Sequence, residues 1–126
     1  MLLRIAMVAL GGAVGAVARY LVSGWVQTRA DVPFPAGTLV VNILGCLILG
    51  VLLAAAETRG ALSAETRAFF AIGILGSFTT FSTFGGETVE LIRAGRPALA
   101  FANVAASVLV GLAAVWVGRA LVRTLA

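Results

Sequence analysis

Four apolar runs, each long enough to cross a bilayer as a helix, alternate with short polar connectors along this chain. A hydrocarbon core about 30 Å thick needs about 20 apolar residues per helical span, and the runs cover roughly residues 4–27, 36–56, 65–94 and 98–122. The connectors carry turn chemistry. TRADVPFPAG holds Pro33 and Pro35, whose fixed φ and missing N–H suit an extended turn and the first turn of a new helix. In ETRGALSAETR, Ser63 followed by Glu65 reads as a helix start. Gly95, Arg96 and Pro97 separate the third run from the fourth. Gly11, Gly12, Gly15 and Gly24 give the first run the small surface by which helices approach closely in lipid. The pattern predicts an all-α membrane protein: one four-helix transmembrane domain over residues 1–126, with both termini on one side.

The third run departs from a lipid-facing helix near its middle. GSFTTFSTFGG places Ser77, Thr79, Thr80, Ser82 and Thr83 between Gly76 and the Gly85-Gly86 pair, which predicts a break over about 76–83. Backbone opened at that depth survives only when it is buried in protein or lines a wet cavity. Phe78, Phe81 and Phe84 recur at intervals of three, which keeps them near one face if the backbone is locally helical. On spacing alone such rings are ordinary packing contacts. Their positive edges are also suited to solvating a small anion where water is scarce.

Composition narrows the function. The chain is 61% hydrophobic and 11% charged, against roughly 25% charged in soluble proteins, and its mean hydropathy is +1.10. Histidine is absent, which removes the commonest general base and a favoured zinc ligand, and the single Cys46 reads as a small packing residue. Enzymatic chemistry is not expected. The net charge of +4 comes from arginines spread along the membrane edges and not from the clustered face that nucleic acid requires. Arg4, Arg59, Arg67, Arg119 and Arg123 fall on the side of the termini, with Arg29, Arg93 and Arg96 on the other. So small an asymmetry allows insertion in both orientations and hence an inverted pair of subunits.

A few polar residues fall inside the spans. Arg19 lies fifteen residues after Arg4, about 22 Å along a helix, a depth at which arginine marks an ion pathway or a partner, or snorkels along its stem. Asn42 lies in the second run, while Asn103 and Ser107 share a face of the fourth at i, i+4. They either join helices by hydrogen bonds or, with the TTFSTF segment, offer donors to an anion. Glu90 is three residues from Arg93 and reads as a surface pair; Glu87 sits deeper.

The run GILGSFTTFSTFGGETVELIRAG resembles the third-span signature of the bacterial Fluc (CrcB) fluoride channels; GTLVVNILG resembles their second span and GGAVGAVARY their first. The resemblance covers essentially the whole chain. It implies a multi-pass protein of the bacterial inner membrane that exports cytoplasmic fluoride passively. It also implies an antiparallel, dual-topology homodimer with two fluoride pathways and a structural sodium ion held by main-chain carbonyls, by position those of Gly76 and Thr79. Residue by residue, Phe81 and Phe84 resemble the anion-facing phenylalanines, Ser82 and Thr83 the hydroxyl track, and Asn42 the pore amide, with Thr38 in the same second-span motif. Ser107 resembles the fourth-span hydroxyl and Arg19 the vestibule cation, and Glu87 completes the expected pathway. Gly85 stands where relatives often carry Ser, and Asn103 at a variable position, so neither is assigned to the pore. The rival readings are a small dual-topology, proton-coupled drug or cation antiporter and a scaffold without transport. The first lacks a carboxylate in its first span, and the second leaves the hydroxyl-rich break unexplained.

Overall fold

The computed structural model describes residues 1–58, 60 and 62–125. Helix α1 spans Leu2–Ala30 and α2 spans Ala36–Thr58. The third span is composite: α3 (Ala64–Arg67), a π-helical stretch (Ala68–Leu75), α4 (Gly76–Phe78) and, after two extended residues, α5 (Phe81–Arg93). Helix α6 spans Pro97–Leu125. All four spans are long and apolar enough to cross a bilayer, and the chain is a multi-pass membrane protein.

Local chemistry explains the ends. Gln27 donates its amide to the carbonyls of Val32 and Phe34 and accepts the Gly37 N–H at 3.1 Å, stapling the proline turn between α1 and α2. Ser63 caps α3 by accepting the Thr66 N–H at 3.1 Å, as a helix-start serine should. After α5 the chain turns through Gly95 at φ 72, a left-handed conformation that glycine adopts without strain.

The packing follows the rule for helices in lipid, where backbones meet at small residues and large apolar side chains face outward. Residues such as Leu10, Trp25, Leu109 and Trp116 are exposed on the outside of the bundle. The most extensive helix pair is α2 with α6, followed by α1 with the π-helical stretch. A Cβ on Gly50 would overlap the Val115 carbonyl, one on Gly118 the Leu47 carbonyl, and one on Gly11 or Gly15 the carbonyls of Phe69 and Ile74. Gly24 differs from its expected role: none of the described residues lies within 4 Å of the place its Cβ would take.

Ion pairs between helices gather at one end. Arg4 meets Glu65 at 3.2 Å, and Glu57 receives Arg119 at 2.8 Å and Arg123 at 3.3 Å. The start of α1, the end of α2, the start of α3 and the end of α6 therefore share one face of the bundle, as four spans require. Arg59, expected at the same end, lies outside the described residues.

Candidate functional site at the helix break

The interruption of the third span is narrower than the expected 76–83. Only Thr79 (φ −85, ψ 156) and Thr80 (φ −151, ψ 114) are extended; Gly76, Ser82 and Thr83 lie in helical turns. Two residues suffice because side chains replace the lost ladder bonds. The Asn42 amide on α2 grips Thr80 from both sides, its Oδ1 accepting the Thr80 N–H at 2.8 Å and its Nδ2 donating to the Thr80 carbonyl at 3.1 Å. The Thr80 hydroxyl then caps α5 by accepting the Thr83 N–H at 3.2 Å and donates to the Thr83 hydroxyl at 3.0 Å.

The break takes the helical donors from the carbonyls that precede it, those of Gly76 and Thr79 among them. In a continuous helix the Gly76 carbonyl would accept from the Thr80 N–H, and the Thr79 carbonyl from the Thr83 N–H. Those donors go instead to Asn42 and to the Thr80 hydroxyl.

The extended pair also resets the aromatic repeat. Phe78, before the break, is 8% exposed, whereas Phe81, after it, is 83% exposed. The three rings do not share a face, because two extended residues between Phe78 and Phe81 destroy the helical periodicity on which that expectation rested. Phe81 and Phe84, both on α5, remain together, with centroids 5.5 Å apart and planes tilted by 46°.

A cavity of about 400 Å³ opens beside the break, lined among others by Asn42, Thr79, Thr80, Phe81, Phe84 and Ser107. The Ser107 hydroxyl is buried without a hydrogen-bond partner among the described residues. Cys46 also lines this cavity and is half-buried. A second cavity of about 450 Å³ is lined by Gln27, Phe34, Glu87, Glu90 and Arg96. Phe84 borders the first cavity and Glu87, one helical turn further along α5, the second.

Thr38, buried on α2, donates to Glu87 Oε1 at 2.7 Å, while Oε2 is buried with no hydrogen-bond partner among the described residues. Ser82 and Thr83 are exposed in the first turn of α5, after Phe81. Arg19 is half-buried on α1, lines neither cavity, and forms no ion pair among the described residues. Glu90 pairs with Arg93 at 3.2 Å, as its spacing predicts. Asn103, expected either to join helices or to offer a donor to an anion, is 1% exposed and donates to the Thr88 hydroxyl at 2.9 Å, which ties α6 to α5.

Two functional partners escaped the sequence reading: Thr80 as the object of the Asn42 grip, and Thr88. A mid-span asparagine needs a partner in lipid, and a hydrogen-bond count would have asked which group accepts it.

Residues 6–119 match the family described as CrcB-like protein, camphor resistance (CrcB). The chain is 43% identical to a fluoride-specific ion channel FluC of Methylobacillus flagellatus, over 95% of this chain and 94% of that one. It is 49% identical to FluC 2 of Symbiobacterium thermophilum over 90% and 93% of the two chains. With FluC of Agrobacterium fabrum the identity is 44% over 98% and 99%.

Proposed function

The chain belongs to the CrcB family, and from that membership we propose that it is a fluoride-selective channel, not an enzyme, through which cytoplasmic fluoride leaves passively across the bacterial inner membrane. The observation that carries the mechanism is the pinned break, which keeps an opened backbone, two phenylalanine rings and the Ser107 hydroxyl around one cavity.

Fluoride is small and tightly hydrated, so a channel must replace its water with donors while holding it weakly enough to release it. The cavity beside the break supplies what such an exchange needs. The second Asn42 amide proton and the partnerless Ser107 hydroxyl are donors, and the edges of Phe81 and Phe84 carry partial positive charge. Ser82 and Thr83 extend the hydroxyl track along α5. Glu87, held by Thr38, lines the second cavity, and Arg19 contributes positive potential from α1.

The working unit is an antiparallel homodimer. Phe81, Ser82 and Thr83 lie exposed in the first turn of α5, and hydroxyls turned toward acyl chains are unfavourable in lipid. A second copy, inverted in the membrane, covers that turn and brings two pathways together. The carbonyls of Gly76 and Thr79, freed of their helical donors, suit a hard cation with oxygen ligands, and four of them, two from each subunit, would hold a structural sodium ion. Bound there, the ion supplies fixed positive charge that favours anions; it is not transported.

Purified protein in liposomes is expected to release fluoride at a rate far above protein-free vesicles and to pass no chloride. Equal permeation of the two anions would overturn the selectivity. Phe84→Ile keeps roughly the apolar volume while removing the ring edge. Its fluoride flux is expected to fall about tenfold, the equivalent of about 1.4 kcal/mol, with the protein still folded by size exclusion. Wild-type flux in this variant would remove the ring from the pathway.

A further inference from the structure

We infer that Asn103, acting through Thr88, is a positioning residue that sets the orientation of the Phe84 ring. This role rests on the fluoride-channel reading for its functional consequence, but its geometry stands alone.

Helix α5 is attached to the bundle more lightly than the other long helices; it packs mainly along α6 and only slightly against α2. Polar ties hold it in place. Asn42 grips Thr80 just before its first turn, and Thr38 meets Glu87 in its middle, both from α2. From α6 comes a chain of two hydrogen bonds: Asn103 Nδ2 donates to Thr88 Oγ1 at 2.9 Å, and Thr88 Oγ1 donates to the Phe84 carbonyl at 2.7 Å.

The direction of this chain is fixed by its chemistry. The Asn103 amide nitrogen only donates, so the Thr88 oxygen must accept from it, and its single proton is then free for Phe84. Asn103 is 1% exposed and lines neither cavity beside α5. It therefore does not touch a permeating ion in this arrangement. What it governs is the rotation of α5 about its own axis at the turn that carries Phe84. Two ties reach α5 from α2, and the third, from α6, adds a hold at the turn that carries Phe84.

The test places 4-fluorophenylalanine at position 84 and follows its ¹⁹F resonance together with fluoride efflux and fluoride-over-chloride selectivity. It compares the wild type with Thr88→Ser, Thr88→Val, Asn103→Leu and the double variant of the last two. Thr88→Ser keeps the hydroxyl and is expected to match the wild type in all readouts. Thr88→Val and Asn103→Leu are each expected to shift or broaden the ¹⁹F signal, lower efflux about tenfold and reduce selectivity. The double variant should be no worse than the poorer single, because both break the same chain.

An unchanged ¹⁹F resonance in Thr88→Val, or losses that multiply in the double variant, would overturn the assignment. Should Asn103→Leu fail to fold, Thr88→Val alone still decides through the resonance. If the wild type passed no fluoride while the coupled ¹⁹F shifts appeared, the positioning role would stand and the channel reading would fall.

Discussion

Asn42→Leu is expected to lower fluoride efflux by about 100-fold or more while the protein remains folded. The side chain satisfies both backbone groups of Thr80, with bonds of 2.8 and 3.1 Å, at a depth where water is scarce. Removing it strands a donor and an acceptor, each at roughly 1–3 kcal/mol. Rewinding the segment into a continuous helix would then relieve the strain by returning the Thr80 N–H to the Gly76 carbonyl. A preference of about 3 kcal/mol for the rewound form leaves the open form at roughly one part in a hundred. Hydrogen exchange separates this account from simple loss of a pore donor: protection of the amides at 79–83 should change in Asn42→Leu. Flux near the wild type, or an unaltered exchange pattern beside lost flux, would each contradict the grip. Asn42→Asp keeps the acceptor but turns a second oxygen toward the Thr80 carbonyl, so it should rescue little.

Gly118→Val is expected to remove most of the folded protein. At this crossing the backbone of α6 lies against that of α2, and a Cβ on Gly118 would overlap the Leu47 carbonyl and press on Val51 and Gly50. Gly50 makes the reciprocal approach to Val115, so one substitution forces apart both halves of a single seam. No rotamer change relieves a collision with backbone. Overpacking of this kind costs about 1–3 kcal/mol in forgiving sites and more in unforgiving ones. Thermal unfolding in detergent, followed by size exclusion, should show a lower midpoint for Gly118→Ala and little folded material for Gly118→Val. Gly24→Ala is the control, because open space surrounds Gly24; its midpoint should stay within about a degree, as expected for a substitution that touches nothing. Equal behaviour of Gly118→Val and Gly24→Ala would refute the seam.

The helices were readable in the chain because lipid leaves so few alternatives: an uncovered backbone must be helical, and an apolar run of the right length must span. Ser63 announced the third span, and the hydroxyl-rich tract bracketed by glycines announced a break. Other features depended on distance along the chain. Asn42 and Thr80 are 38 residues apart, and nothing in the local pattern of either points to the other. The narrowness of the break follows from that partnership, so the expected 76–83 was too wide. The phenylalanine repeat misled for the same reason, since two extended residues between Phe78 and Phe81 turn the rings to different sides. Gly11, Gly15 and Gly24 look alike in sequence, but only a neighbouring backbone separates close packing from open space. Asn103 and Thr88 belong to different helices, and their pairing emerges only when α5 lies on α6.

The two extended threonines also divide one long dipole into two shorter ones. A helix carries roughly half a positive charge at its amino end and half a negative charge at its carboxyl end. Cutting the third span at Thr79–Thr80 therefore sets a carboxyl end, with bare oxygens at Gly76 and Thr79, against a fresh amino end at Phe81. An uninterrupted span would have placed both poles at the membrane surfaces, where water screens them. Here they face each other in the apolar interior, so one interruption creates adjacent patches of opposite potential, one attractive to a cation and the other to an anion.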